Sequence, residues 1–259
     1  MSIWDMAAVL FAGVWAGAIN TVVGSGTLVT FPVLLAVGVP PVTATVSNAL
    51  GLVPGTLSGA LGYRAELTGQ QPRVLRLGAA ALVGGLTGAI LLLVLPSTAF
   101  ETIVPVLVGI ALVLVVLQPR IAALVQRRRA RHATGTGRAT AVDGGPVLVG
   151  ALLLASVYGG YFTAAQGIIY LSLMGMLLDD TMQRLNAVKT VLSTIVNSVA
   201  ALFFLLAADF DWTAVGLIAL GSTAGGVLGA RIGRRLPPPA LRAVILVVGV
   251  AAIVQLLLR

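Results

Sequence analysis

Ile19-Asn20-Thr21-Val22-Val23-Gly24-Ser25-Gly26-Thr27 is a polar, glycine-studded break inside an apolar segment that otherwise runs from Ile3 to Val37. Lipid offers no partner to an exposed backbone N–H or C=O. Irregular chain at membrane depth therefore survives only where protein buries it or where it lines a cavity. A second break, Gly159-Gly160-Tyr161-Phe162-Thr163-Ala164-Ala165-Gln166-Gly167, follows about 142 residues later. Two interrupted hydrophobic segments at corresponding places in two halves point to a transporter's binding site.

Composition sets the frame for that reading. Hydrophobic residues make up 58% of the chain and charged residues 9%, with mean hydropathy +1.06. Soluble domains carry roughly 25% charged residues. Several apolar runs of about 20 residues are long enough to cross a bilayer, and they are continuous rather than alternating, which excludes a β-barrel. No basic residue precedes the first run and Asp5 lies within it, so no cleaved signal peptide is expected. The chain has no cysteine, which removes disulfides, thiolate catalysis and cysteine metal sites. Its basic residues sit at the edges of apolar runs, so the pI near 11.3 reports membrane topology and not nucleic-acid binding.

The expected fold is an all-α polytopic membrane protein made of two inverted repeats. Each repeat is a broken, re-entrant helical hairpin followed by three transmembrane helices. Residues 1–117 form the first membrane repeat, 118–145 a basic cytoplasmic linker and 146–259 the second repeat. The broken segments are 3–37 and 146–177. Helices are expected over 43–62, 73–95 and 102–117, then over 183–207, 212–230 and 240–258. At a shift of 142, Gly17 falls on Gly159, Thr21 on Thr163 and Ser47 on Lys189. Each third helix carries a Gly-Gly-x-x-Gly cluster, Gly84 to Gly88 and Gly225 to Gly229, a spacing that lets backbones approach closely.

Charge placement sets orientation. Of 16 basic residues, 13 lie at 64–76, 118–138 and 231–242, and Lys and Arg mark cytoplasmic loops. The opposite loops hold Glu101, Asp209 and Asp211. With the basic stretches inside, segment 146–177 must enter and leave on one side. Its arms of roughly 14 and 11 residues reach about halfway across a ~30 Å core. The first hairpin then dips in from the other face, and the two tips meet near the midplane. Eight plain crossings with parallel repeats is the competing arrangement.

The second arms are expected to begin at Thr27 and Ile168. The first N–H groups of a helix lack intrahelical partners and carry partial positive charge, and glycines let them approach an anion. Asn20, Thr21, Gly24, Ser25, Gly26 and Thr27 at one tip, and Thr163, Gln166 and Gly167 at the other, are therefore candidate substrate-binding residues. The helices that follow supply walls at three-to-four-residue spacing: Ser47 or Asn48, Gly51, Pro54 or Gly55, and Ser58 in the first half, and Asn186, Lys189, Ser193 and Asn197 in the second. Lys189 is the only lysine in the chain and lies in an apolar helix. It either contacts a bound anion or snorkels to the cytoplasmic edge. The run Gln126 to His132 is a solvated anchor that could also meet anionic headgroups. His132, the single histidine, lies there, and no carboxylate falls in a helix core, so a buried proton relay is lacking. Coupling protons would ride on the substrate or on Lys189.

The pattern from Gly13 through Asn20-Thr21-Val22-Val23-Gly24-Ser25-Gly26 to Phe31-Pro32 resembles the opening motif of the TauE/SafE sulfite exporter family. Ala44-Thr45-Val46-Ser47-Asn48, Ser58 to Arg64 and Gly225 to Gly233 are similar to later motifs of that family. The resemblance implies a multi-pass plasma-membrane carrier for small sulfur-containing or organic anions such as sulfite or sulfonates, with Asn20, Gly24, Ser25, Gly26, Thr45, Ser47 and Asn48 as its site positions in the first half. The second hairpin departs from the pattern, with Phe162, Ala164, Ala165 and Gln166 where glycines are common. The reading is a secondary transporter, not an enzyme, that moves a small anion by alternating access, with export favoured. A passive anion channel and an uptake carrier for a small carboxylate are the alternatives. Substrate, membrane lipids and coupling protons are the expected partners, without cofactor, metal or nucleic acid, and oligomeric state stays open.

Overall fold

A computed structural model of the chain describes residues 1–133 and 145–232, together with positions 247 and 250. The expected last helix, 240–258, lies outside these apart from those two positions. The described elements are helices: α1 Ile3–Val22, α2 Thr27–Ala36, α3 Pro41–Gly62, α4 Gln71–Val94, α5 Ser97–Ala133, α6 Gly145–Tyr161, α7 Gln166–Leu177, α8 Met182–Ala207 and α9 Trp212–Ile232, with a 3-10 turn at Arg64–Leu67. Five of them contain spans long and apolar enough to cross a membrane. The protein is a polytopic helical membrane protein.

Local chemistry sets the boundaries. Ser2 and Asp5 form a reciprocal capping box at the start of α1. Gly38, at φ 89°, turns the chain after α2, and Pro41 opens α3 where its missing N–H costs nothing. Thr181 caps α8 by accepting from the Arg184 N–H at 3.3 Å. The largest difference from expectation lies in α5, which starts at Ser97, five residues before the expected 102. The expected linker from 118 is helical as far as Ala133, because Gln, Arg and Ala are strong helix formers whose charge does not oppose a helix that has left the apolar core.

Both breaks are present, at residues 23–26 and 162–165. The second arms start at Thr27, as expected, and at Gln166, two residues earlier than expected. Each hairpin packs by its first arm on the third helix of the other half, through the glycine clusters. On α4, Gly84 lies against Leu153 of α6 and Gly88 against Val157. On α9, Gly221 lies against Leu10 of α1, Gly225 against Val14 and Gly229 against Ala18. In each case a Cβ would overlap a neighbouring main-chain atom, so only glycine permits the approach. The same hydrogen bond also recurs. Thr21 Oγ1 donates to Gly17 O at 2.9 Å and Thr163 Oγ1 to Gly159 O at 2.9 Å.

These pairings fix how the hairpins enter the bundle. α6 runs parallel to α4, so it starts beside the first turn of α4. There Arg73 pairs with Asp180, in the α7–α8 connection, at 2.6 Å. α1 runs parallel to α9, and Met1, Val37 to Pro40 and Phe210 to Trp212 line one cavity of about 460 Å³. Between Asp180 and Asp209 lies all of α8, 26 residues or about 39 Å. The two hairpins therefore open toward opposite ends.

The tips do not stop at the middle. α1 has 20 residues and α6 has 17, about 30 and 25 Å, more than half the core thickness. Thr21 accordingly reaches Asn186 in the second turn of α8 and faces Gly59 near the end of α3. The hairpins slide past one another. Gly24 of the first tip touches Gly167, in the first turn of α7. Phe31, on the returning α2, meets Phe162 of the second tip edge-to-face at 5.2 Å.

Candidate functional site

The hairpin contact is built from backbone. Gly167 N–H donates to Gly24 O at 3.0 Å. A Cβ on Gly24 would lie 2.5 Å from Gly167 Cα, and one on Gly167 would lie 2.5 Å from Gly24 Cα. Gly24 also has φ 89°, so neither sterics nor backbone conformation admits a side chain there. This contact consumes one of the amides expected to face an anion. A second, Gly26 N–H, donates to Asn20 Oδ1 at 2.7 Å. One glycine amide thus joins the two tips and the other braces the first tip internally, and the ligand-facing groups have to be sought among the side chains.

Lys189 is wholly buried. Its Nζ donates to Asn20 O at 2.9 Å and to Thr21 O at 3.3 Å, and Asn186 Nδ2 donates to Thr21 O at 3.1 Å. Asn20 and Thr21 end α1, where carbonyls lack intrahelical partners and the helix dipole is negative. A cation and an amide from the other half of the chain complete that terminus. Hydrogen bonds to a charged group contribute about 1.5–3 kcal/mol, which offsets much of the cost of placing an ammonium in an apolar helix. Snorkelling is not what Lys189 does. Its stem passes beside Gly167, where a Cβ would come 3.1 Å from Cδ. Lys189 therefore touches both hairpins.

Several buried polar atoms here have no partner among the described residues: Ser25 Oγ, Asn186 Oδ1 and Gln166 Oε1. A buried polar atom left unsatisfied costs about 1–3 kcal/mol, so such a group marks a place where water or a ligand is accommodated. Gln166 is set apart from the other two. Its side chain lies over Gly159, and its Nε2 donates to Tyr170 Oη at 2.6 Å. Tyr170 in turn pairs with Ser156 Oγ. Sequence reading missed this triad inside the second hairpin. The spacing of Gln166 and Tyr170, four apart on one helix, was the available signal.

The structure gathers Asn20, Thr21, Gly24, Ser25, Gly26, Gly167, Asn186 and Lys189 around one point, and separates the other candidates. Asn48 bridges Thr27 and Thr30, binding α3 to α2. Ser47 Oγ accepts the Asp211 N–H at 3.0 Å, at the open end of the first hairpin. Thr45 bonds back to Pro41 O within its own helix. Thr163, at φ 66°, bonds Gly159. Ser193 is half-buried and Asn197 buried further along α8, and Asn197 Oδ1 also lacks a partner.

Helices spanning a membrane, with two broken hairpins buried against each other and one cation at their contact, define a membrane transporter. The chain belongs to the sulfite exporter TauE/SafE family, whose sequence model matches residues 9–256. It is 29% identical to the probable membrane transporter protein YfcA of Escherichia coli K12, over 87% of this chain and 78% of that one. It is 24% identical to a probable membrane transporter protein of Haemophilus influenzae, over 90% of this chain and 85% of that one. No solved structure matches. The family is one of transporters and not of enzymes, and the protein is a multi-pass integral protein of the plasma membrane.

Proposed function

We propose that this protein is a secondary carrier that exports a small sulfur-containing anion, sulfite or an organosulfonate, by alternating access about the contact of its two hairpins. The observation that carries the reading is the meeting of Gly24 and Gly167 beside Lys189, the one cation buried at the centre of the described bundle. One positive charge among small polar groups suits a small monoanion. Ser25 and Lys189 are fully buried and Gln166 is 2% exposed. A contact sealed in this way supports a carrier that opens to each side in turn over a standing channel.

In this reading the halves are inverted repeats related across the membrane. The basic stretches 64–76, 118–138 and 231–242 face the cytoplasm, as the excess of arginine there favours. The hairpins opening at opposite ends and the repeated Thr–Gly bonds support it. Substrate reaches the tip residues from either side as one hairpin withdraws from the other, and protons accompany it.

Purified protein in liposomes, offered sulfite, sulfoacetate, thiosulfate and lactate with and without a proton gradient, tests the proposal. Saturable flux with counterflow for a sulfur anion is the expected result. Flux linear in concentration would make the protein a channel, and no flux above protein-free vesicles would end the proposal.

A further inference from the structure

We infer that the site at the hairpin contact takes its anion with a proton attached: the ligand is a hydrogen-oxyanion such as hydrogensulfite, bearing an O–H, and not the corresponding dianion. This rests on the proposed transport reading and deepens it. Two buried groups bonded to Thr21 O carry it, Asn186 and Lys189, with Ser25 close to Thr21 in the chain at the same tip. Asn186 Nδ2 donates to Thr21 O, which fixes the orientation of the amide because a carbonyl can accept only from the nitrogen side. Asn186 Oδ1 is thereby an acceptor, and it is buried without a partner. Lys189 spends two of its three N–H donors on Asn20 O and Thr21 O, which leaves one. Ser25 Oγ is buried without a partner and can donate or accept.

A ligand that satisfies all three must accept from an ammonium and donate to an amide oxygen. A dianion has only acceptors. It would set an oxygen against Asn186 Oδ1 and meet one positive charge with two negative ones, and both arrangements are costly where water is excluded. A hydrogen-oxyanion matches the count, with charge −1 against the ammonium and an O–H for the amide oxygen.

Among the described residues the surroundings offer no carboxylate or imidazole to carry the proton. α3 has no ionisable side chain, α7 has Tyr170 and α6 has Tyr158 and Tyr161. The charged groups on α1, α4 and the 3-10 turn are Asp5, Arg73, Arg76, Arg64 and Glu66, all at helix ends or in the turn, and Arg184 lies in the first turn of α8 beside Asp180. Only Lys189 itself could compete for the role, and arginine at that position, permanently protonated, separates the two.

The test measures initial sulfite flux into liposomes at fixed, subsaturating total sulfite across a pH series spanning its second ionisation, for the natural protein and for Lys189→Arg. Methanesulfonate, a monoanion without an O–H, and sulfate, a dianion, serve as competitors. The expected flux follows the hydrogensulfite concentration, falling about tenfold per pH unit above that ionisation. Lys189→Arg should be slower with the same pH profile, and methanesulfonate and sulfate should compete at least about tenfold more weakly. Flux that tracks total sulfite or the dianion, or methanesulfonate competing equally, would overturn the inference and leave the transport reading standing. A pH profile lost in Lys189→Arg, with thermal stability retained, would move the proton to Lys189 and equally overturn it. Absence of sulfite flux and of competition alike would take down both readings together.

Discussion

The N–H of Gly167 donates to the carbonyl of Gly24 at 3.0 Å, joining the first turn of one hairpin's returning arm to the tip of the other. Residues 143 positions apart meet with no side chain between them. A methyl group on either must part the hairpins or strain them, at a cost of about 1–3 kcal/mol, and at Gly24 the positive φ adds about 1–2 kcal/mol. Gly24→Ala and Gly167→Ala should each cut transport by about tenfold or more and lower the unfolding temperature. Gly150→Ala, which meets nothing within 4 Å, should leave both unchanged. Flux assays and thermal unfolding of all three variants check this.

Lys189 closes the end of α1 from across the chain. Methionine keeps the stem and removes the donors, taking from Asn20 O its Lys189 bond and leaving Thr21 O with Asn186 among the described residues. The expected destabilisation is about 1–3 kcal/mol, with loss of transport. Lys189→Arg should recover most of the stability, because a second cation can reach the same carbonyls. Unfolding curves for the two variants in one detergent decide it.

Gln166 and Gly159 are a size-matched pair. The glutamine amide fills the space a Cβ on Gly159 would need, so Gly159→Ala should be strongly destabilising alone. Gln166→Gly should lose the Tyr170 bond at about 1 kcal/mol. Together they should cost less than the sum, with a coupling of about 1–2 kcal/mol. Additive effects in the double-mutant cycle would show that the two side chains do not share that space.

Ala165 sits in the left-handed region at φ 55°, just before α7. Glycine there relieves about 1–2 kcal/mol and returns about 0.4–1 kcal/mol through greater freedom of the unfolded chain. Ala165 is also fully buried, and losing its methyl costs about 0.8 kcal/mol more. The terms nearly cancel, so Ala165→Gly should leave the unfolding temperature within about 2 °C of the natural protein. A fall of more than about 4 °C would contradict the strained conformation.

Asp180 ties three elements at one end of the bundle. Burial raises the pKa of its carboxyl, but Arg73, the Thr181 amide and Arg184 outweigh burial and hold it below its ordinary value. A depressed folded pKa means stability that is fully present above the unfolded value, about pH 4. That stability is lost as pH falls through the lower folded one. Thermal stability of the natural protein should therefore drop more between pH 6 and pH 3 than that of Asp180→Asn. Parallel pH dependence in the two would show that the cluster contributes nothing.

The sequence alone determined the membrane class, the two breaks, the nine helical stretches now described and the glycine clusters. All of these rest on local hydropathy and on which residues a helix or a turn tolerates. It also singled out Lys189 as anomalous, because an ammonium in an apolar helix needs a reason wherever the helix goes. Only the tertiary structure decided what that reason is. The carbonyls of Asn20 and Thr21 are acceptors in every sequence, and nothing local tells which side chain 169 positions away will reach them. In the same way, the glycine amides at the tips could be assigned to an anion or to each other until packing brought Gly24 against Gly167. The depth of the hairpins depended on how far α1 and α6 could slide along α9 and α4. Contact between distant segments is set by the sum of many weak packing terms, and no single window of the chain contains that sum.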